Sequence, residues 1–115
     1  MTAYGIAVYI EDVQFCRDPS FHQAVLEYLT DAEYAALQAV LIADPETGPV
    51  IPGSGGVRKL RWAAPGRGKR GGYRVIYYLR RANGIIWMLT MYPENVADSI
   101  PAHVLRQIRE EVDNA

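Results

Sequence analysis

The sequence predicts an α+β domain: a small antiparallel sheet of about four strands with helices packed against it, in the order β-α-α-β-β-β-α. Two observations carry this prediction. Three strand-type segments follow one another between Val57 and Tyr92, joined by connections so short that neighbours must pair antiparallel. Helix-start signals stand ahead of them at Asp18-Pro19 and Thr30, and another at Ser99 opens the last segment. With 115 residues, half of them hydrophobic and 22% charged, the chain reads as one globular domain spanning residues 1–115.

Taken in order, Tyr4 to Ile10 (YGIAVYI) is rich in β-branched and aromatic residues and stops at Glu11 and Asp12, as a first strand would. Asp18, Pro19 and Ser20 start a short helix in which Phe21, Val25 and Tyr28 or Leu29 share a face. Thr30 followed by Glu33 has the spacing of a capping box. Tyr34, Leu37 and Leu41 then recur at helical spacing over Asp31 to about Ala43, and Asp44-Pro45 ends the run. Pro45 to Gly56 is a Pro- and Gly-rich loop. In the strand Val57 to Trp62, Leu60 and Trp62 face one way and Lys59 and Arg61 the other. Ala63 to Gly72 is a Gly-rich turn. In the strand Tyr73 to Leu79, Arg74, Ile76 and Tyr78 lie opposite Tyr73, Val75 and Tyr77. Ala82-Asn83-Gly84 supplies a hairpin turn, and Ile85 to Tyr92 is apolar on both faces, as a covered central strand would be. The last helix is capped by Ser99, with Val104, Leu105, Ile108 and Val112 as its apolar stripe.

Charge divides the chain. Arg58, Lys59, Arg61, Arg67, Lys69, Arg70, Arg74, Arg80 and Arg81 all lie between Gly53 and Tyr92, and that stretch contains no Asp or Glu. The formal net charge of −1 conceals a strongly basic block inside an acidic remainder. Such a block suggests a surface for a polyanion.

Several function classes are disfavoured. A single cysteine, Cys16, excludes an intrachain disulfide and a thiolate metal cluster, and it suits a reducing cytosol. His22 and His103 are too few for a histidine zinc site and read as helix-surface residues. Gly66 to Gly72 is glycine-rich but joins two strands, so it lacks the strand-to-helix context of a phosphate-binding loop. No signal peptide or membrane span is apparent, and a cytoplasmic location is expected.

What remains is cations and phenols on strands. Cleaving RNA through its own 2′-OH requires a proton acceptor, positive charge on the phosphorane, and a proton donor for the leaving 5′-oxygen. The guanidinium fork suits phosphate oxygens, and a lysine crowded by other cations is suited to proton transfer. Lys59, Arg61 and Arg74 would converge on one face of an antiparallel hairpin. Tyr73, Tyr77, Tyr78 and Tyr92 serve either as core or as platforms for bases, with Tyr92 at its strand end the best placed for RNA.

Together GGVRKLRW (Gly55 to Trp62), GKRGGYRVIYY (Gly68 to Tyr78) and the apolar strand ending at Tyr92 resemble RelE-type toxins of bacterial toxin–antitoxin modules, in particular the HigB-like branch. Leu37 to Gly56 is similar to that branch's helix, turn and loop, and Pro101 to Val112 to its C-terminal segment. The resemblance implies a RelE/ParE-like fold and an endoribonuclease that cuts ribosome-bound mRNA without metal or other cofactor. It also implies neutralisation by a cognate, HigA-like antitoxin with a helix-turn-helix domain. Carried over by position, Lys59 and Arg61 fall on the basic strand of the active surface, and Arg74 on the arginine after the turn. Tyr92 and Glu94 are expected to join them as catalytic residues, and Arg58, Arg67, Lys69 and Arg70 to bind RNA. One position departs. Where the family commonly ends its strand Tyr-x-Lys-Asn, this chain has Tyr92-Pro93-Glu94-Asn95. An alternative expectation is therefore an RNA- or ribosome-binding relative of weak or absent catalysis. A third, ParE-like action on a DNA-topology enzyme, fits the basic strand and turn less well.

Overall fold

The computed structural model describes residues 7–10, 13–64, 72–80, 84–95 and 100–114. Its elements are β1 (Ala7–Ile10), β2 (Val13–Arg17), α1 (Pro19–Tyr28), α2 (Asp31–Ala43), β3 (Val57–Trp62), β4 (Tyr73–Arg80), β5 (Ile85–Pro93) and α3 (Ala102–Asp113). The α+β class and the helix positions follow the sequence expectation. Residues 4–6 of the expected first strand, Ala82 and Asn83 of the hairpin turn, and the expected cap Ser99 lie outside the described residues. The described α3 begins after Pro101, without a side-chain cap.

Local chemistry sets the helix ends. Asp18 Oδ1 accepts the Ser20 N–H at 2.9 Å, and Pro19 occupies the first turn of α1, where its missing N–H costs nothing. Thr30 Oγ1 accepts the Glu33 N–H at 3.1 Å while Glu33 Oε1 accepts the Thr30 N–H at 2.9 Å, which completes the capping box of α2. Asp44 ends α2, its N–H donating to the Val40 carbonyl, and its side chain then accepts the Glu46 N–H at 3.1 Å to start the following turn.

The strands form one sheet in the order β1-β2-β5-β4-β3. Two features go beyond the expectation of about four antiparallel strands. Val13–Arg17 is a strand in its own right, antiparallel to β1 with Ile10 opposite Val13. It also pairs parallel with β5, so the sheet is mixed. Parallel pairing is possible because α1, α2, β3 and β4 all intervene, supplying the long crossover that parallel strands require. Phe15 and Cys16 are both fully buried, on opposite faces of the sheet.

The core has two halves. On one face Phe15, Val75, Tyr77, Ile86 and Met88 pack under Phe21 and Val25 of α1 and Leu37 and Leu41 of α2. On the other, Cys16, Val57, Ile76, Trp87 and Leu89 pack under Leu105 and Val112 of α3. β5 is covered on both sides, which is why its run is apolar without alternation. Each large side chain fully buried here contributes about 1.5–3 kcal/mol.

The outer edge of β3 is closed by the preceding loop. Lys59 N–H donates to the Pro49 carbonyl at 3.1 Å and Ile51 N–H to the Val57 carbonyl at 2.8 Å, so this edge presents fewer free backbone groups. Tyr77 anchors that loop from below. Its hydroxyl donates to the Pro45 carbonyl at 2.8 Å and accepts the Gly48 N–H at 2.9 Å. A Cβ at Gly48 would lie 3.0 Å from this ring, so the close approach favours glycine. Replacing Tyr77 by Phe leaves both backbone groups unsatisfied at little change in volume. A loss of about 1–3 kcal/mol in urea denaturation is expected, with the secondary structure intact by circular dichroism.

Candidate nucleic-acid interface

Strand register builds the basic site. Arg61 lies directly opposite Arg74, and Arg74 directly opposite Tyr92. Opposed residues of antiparallel strands project from the same face, so these side chains form a row across β3, β4 and β5. With strands about 4.8 Å apart, the row spans roughly 10 Å. Lys59 joins the same face on β3, opposite Ile76. This is the face that α3 covers further along, where Ile76, Trp87 and Leu89 meet Leu105.

Tyr92 reaches this face through a bulge. Ile76 pairs with Thr90 and Tyr77 with Met88, which leaves Leu89 without an opposite residue on β4. Ile86 and Met88 belong to the core half under α1 and α2, and a regular strand would send Tyr92 there too. The extra residue reverses the parity, so Met91 takes that side and Tyr92 packs on the other, against the α3 half of the core.

Arg61 is the most open member of the row, its side chain 72% exposed, while Lys59, Arg74, Tyr92 and Glu94 are half-buried. Arg74 Nε and the Tyr92 hydroxyl are buried atoms with no hydrogen-bond partner among the described residues. Buried donors without acceptors are costly.

Glu94 closes the end of the row. Its N–H donates to the Gly72 carbonyl at 3.1 Å, extending the β4–β5 pairing past Tyr73 and Pro93. Its carboxylate lies 3.6 Å from Arg61 Nε. A Cβ at Gly72 would come within 2.7 Å of the Trp62 carbonyl, so this close crossing of β3 and β4 requires glycine. Gly72 is thus a positioning residue for Glu94. Composition marks it only as one more glycine of the turn.

Of the other basic residues of the block, the described ones, Arg58 and Arg80, stand apart from the row. Arg58 lies opposite Tyr77, on the other face from Lys59. Its guanidinium donates to the Gly48 carbonyl at 2.8 Å and the Glu46 carbonyl at 3.1 Å, and it pairs with the Glu46 carboxylate at 3.5 Å. It ties down the loop. Arg80 stands at the far end of β4, 3.8 Å from the Asp113 carboxylate. Arg67, Lys69, Arg70 and Arg81 lie outside the described residues.

Cys16 is buried, and burial raises its thiol above the ordinary range. His103 is exposed on α3, and His22 Nδ1 accepts from Arg17 at 3.3 Å on the opposite side of the sheet. Among the described residues no group of three or more His, Cys, Asp and Glu is placed to hold a metal ion. No family model matches the chain.

The arrangement offers two guanidinium groups, one ammonium, one phenol and one carboxylate at one end of a rigid sheet. Because Arg61 is so exposed, its pair with Glu94 adds little to folding. A double-mutant cycle with Arg61→Gln and Glu94→Gln in urea denaturation should return a coupling below about 1 kcal/mol. A coupling of several kcal/mol would make the pair a structural strut.

Proposed function

We propose that this protein is the toxin of a type II toxin–antitoxin module, an endoribonuclease that cleaves ribosome-bound mRNA through the RNA's own 2′-OH. The row of Arg61, Arg74 and Tyr92 is the observation that carries the reading. The resemblance of the three strand motifs to RelE- and HigB-type toxins supports it, and so does the basic block.

In this mechanism the scissile phosphate lies over Arg74, whose guanidinium donates to its non-bridging oxygens, with Arg61 beside it. As the 2′-oxygen attacks, the P–O2′ bond forms, the P–O5′ bond breaks, and negative charge grows on the phosphorane. Fixed cations are most effective there, because they need not reorganise during the reaction. Proton movement falls to Lys59, Tyr92 and Glu94: one accepts the 2′-OH proton and another protonates the departing 5′-oxygen. The products are a 2′,3′-cyclic phosphate and a 5′-hydroxyl. Neither metal nor cofactor is required in this scheme, since side-chain cations carry the charge. A cytoplasmic location and a cognate antitoxin with a helix-turn-helix domain complete the proposal.

The Arg61–Glu94 contact favours a second reading, an RNA- or ribosome-binding relative with little catalysis. Glu94 stands where the resembling family has a lysine, and it partly neutralises the arginine it touches. Two unit charges about 4 Å apart interact by about 4 kcal/mol at an effective dielectric near 20, enough to oppose a developing dianion.

One ribosome-dependent assay, read by primer extension on a defined message, separates these readings. Arg74→Ala should lower cleavage by two or more orders of magnitude in a folded protein, since losing one donor to a developing oxyanion costs about 2.7–4 kcal/mol. Full activity of that variant would remove Arg74 from the site. Across wild type, Glu94→Gln and Glu94→Lys, a progressive rise in cleavage identifies repulsion by Glu94. Loss in both variants identifies a general base, and a flat response removes Glu94 from the reaction.

A further inference from the structure

The bulge of β5 sits where the sheet supports that strand least. The last parallel pair of β2 sets Arg17 against Met88, so beyond Met88 the described strands give β5 a neighbour on one side only, β4. The irregularity begins at the next residue: Leu89 has no opposite residue on β4, and Thr90 pairs with Ile76. Leu89 and Thr90 both line the groove beneath α3, two consecutive side chains on one side, as a bulge requires. Thr90 is also the one small polar residue in the otherwise apolar and aromatic run IIWMLTMYP.

The first turn of α1 takes over where β2 stops. Asp18 directly follows β2; its N–H donates to the Met88 carbonyl at 2.9 Å, and its carbonyl accepts the His22 N–H at 3.0 Å to open the helix. Its Oδ1 accepts the Ser20 N–H at 2.9 Å as the cap of α1, which fixes the Ser20 backbone. The Ser20 hydroxyl then meets the Thr90 hydroxyl, Oγ to Oγ1, at 3.0 Å. These two bonds to β5 straddle Leu89, one holding Met88 before it and the other Thr90 after it. Met88, Asp18, Ser20 and Thr90 form a closed brace around the extra residue.

We propose that Ser20 and Thr90, with Asp18 behind them, are positioning residues for the basic row: their brace holds the bulge and so fixes the face on which Tyr92 emerges beside Arg74. Tyr92 lies two residues beyond Thr90, and a regular strand would send it to the other face. Packing sets the same preference, since the bulge buries Met91 on the side of α1 and α2. The brace adds definition, keeping the end of β5 in one arrangement. A single hydroxyl pair near the surface contributes modestly, so its loss should leave the fold intact and spread this end of β5 over more than one arrangement. The bearing on RNA rests on the row being the phosphate site; the brace itself does not.

The test uses the full chain, ¹³C,¹⁵N-labelled, as wild type, Thr90→Val, Thr90→Ser and Ser20→Ala. Thr90→Val keeps the branched shape and removes the hydroxyl, whereas Thr90→Ser keeps the hydroxyl. Thr90→Val and Ser20→Ala should broaden or split the amide signals of Leu89 to Tyr92 and weaken the cross-strand contacts between Tyr92 and Arg74, with a cooperative urea transition retained. Binding of a short 2′-O-methyl oligoribonucleotide should fall about two- to tenfold in both, the change expected from one hydrogen bond. Thr90→Ser should behave as wild type. Joining Thr90→Val to Ser20→Ala should add nothing, because either change alone breaks the same bond. Unchanged β5 signals in both single variants would overturn the proposal, and so would a Thr90→Ser protein that behaves like Thr90→Val. β5 signals that respond while oligonucleotide binding holds would uphold the brace and remove the row from the RNA site instead.

Discussion

The extra residue of β5 at Leu89 is the constraint on which the arrangement of this protein depends. β5 is the central strand, and both core halves draw on it: Ile86, Met88 and Met91 on one side, Trp87 and Leu89 on the other. Without the bulge, the strand would alternate regularly from Ile85 to Pro93 and present Met91 to α3. With it, Trp87 and Leu89 fill the space under α3, and the strand re-emerges with Tyr92 beside Arg74. One residue thus serves packing and the candidate site at once. Pairing the same residues without the bulge would exchange a buried methionine for a tyrosine and dismantle the row.

The same face is shared between α3 and the basic row, and polar contacts fix the division. Arg106 donates twice to the Gly53 carbonyl, at 2.7 and 3.0 Å. Arg109 pairs with Asp113 at 2.7 Å, and Asp113 also accepts from the Tyr78 hydroxyl at 3.3 Å. Gly53, Gly55 and Gly56 all hold positive φ, a backbone conformation that favours glycine along the loop before β3. α3 is thereby held over Ile76 and Trp87 at one end of the face. Arg61, Arg74 and Tyr92 are left at the other.

Much of the fold was legible because its determinants are local. The Thr30–Glu33 box, the Asp18-Pro19 helix start and the alternation in VRKLRW and YRVIYYLR each report a backbone conformation within a few residues. Parity within β3 and β4 places Lys59 and Arg61 with Arg74 once those strands pair. The non-local facts were not legible. Val13–Arg17 contains glutamine and arginine in five residues, and it is a strand because β1 and β5 flank it. The bulge at Leu89 leaves no mark in an apolar run. Arg58 and Lys59 are adjacent cations in sequence, yet the pleat sends them to opposite faces, where Arg58 holds a loop and Lys59 joins the row. Glu94 looks like a surface carboxylate after a proline until the Gly72 carbonyl brings it back toward Arg61.

The central claim is that the end of the sheet carrying Arg61, Arg74 and Tyr92 is where RNA phosphate binds. A ¹H–¹⁵N titration of the labelled protein with a short, non-cleavable 2′-O-methyl oligoribonucleotide tests it most directly, because it reads position without requiring turnover. The account predicts that the amide and guanidinium signals of Arg61 and Arg74 and the amides of Lys59, Tyr92 and Glu94 move together. They should move less as salt is raised, as phosphate contacts require. Shifts confined to Arg80, Arg106 and Arg109 at the α3 end, with the row unchanged, would contradict it.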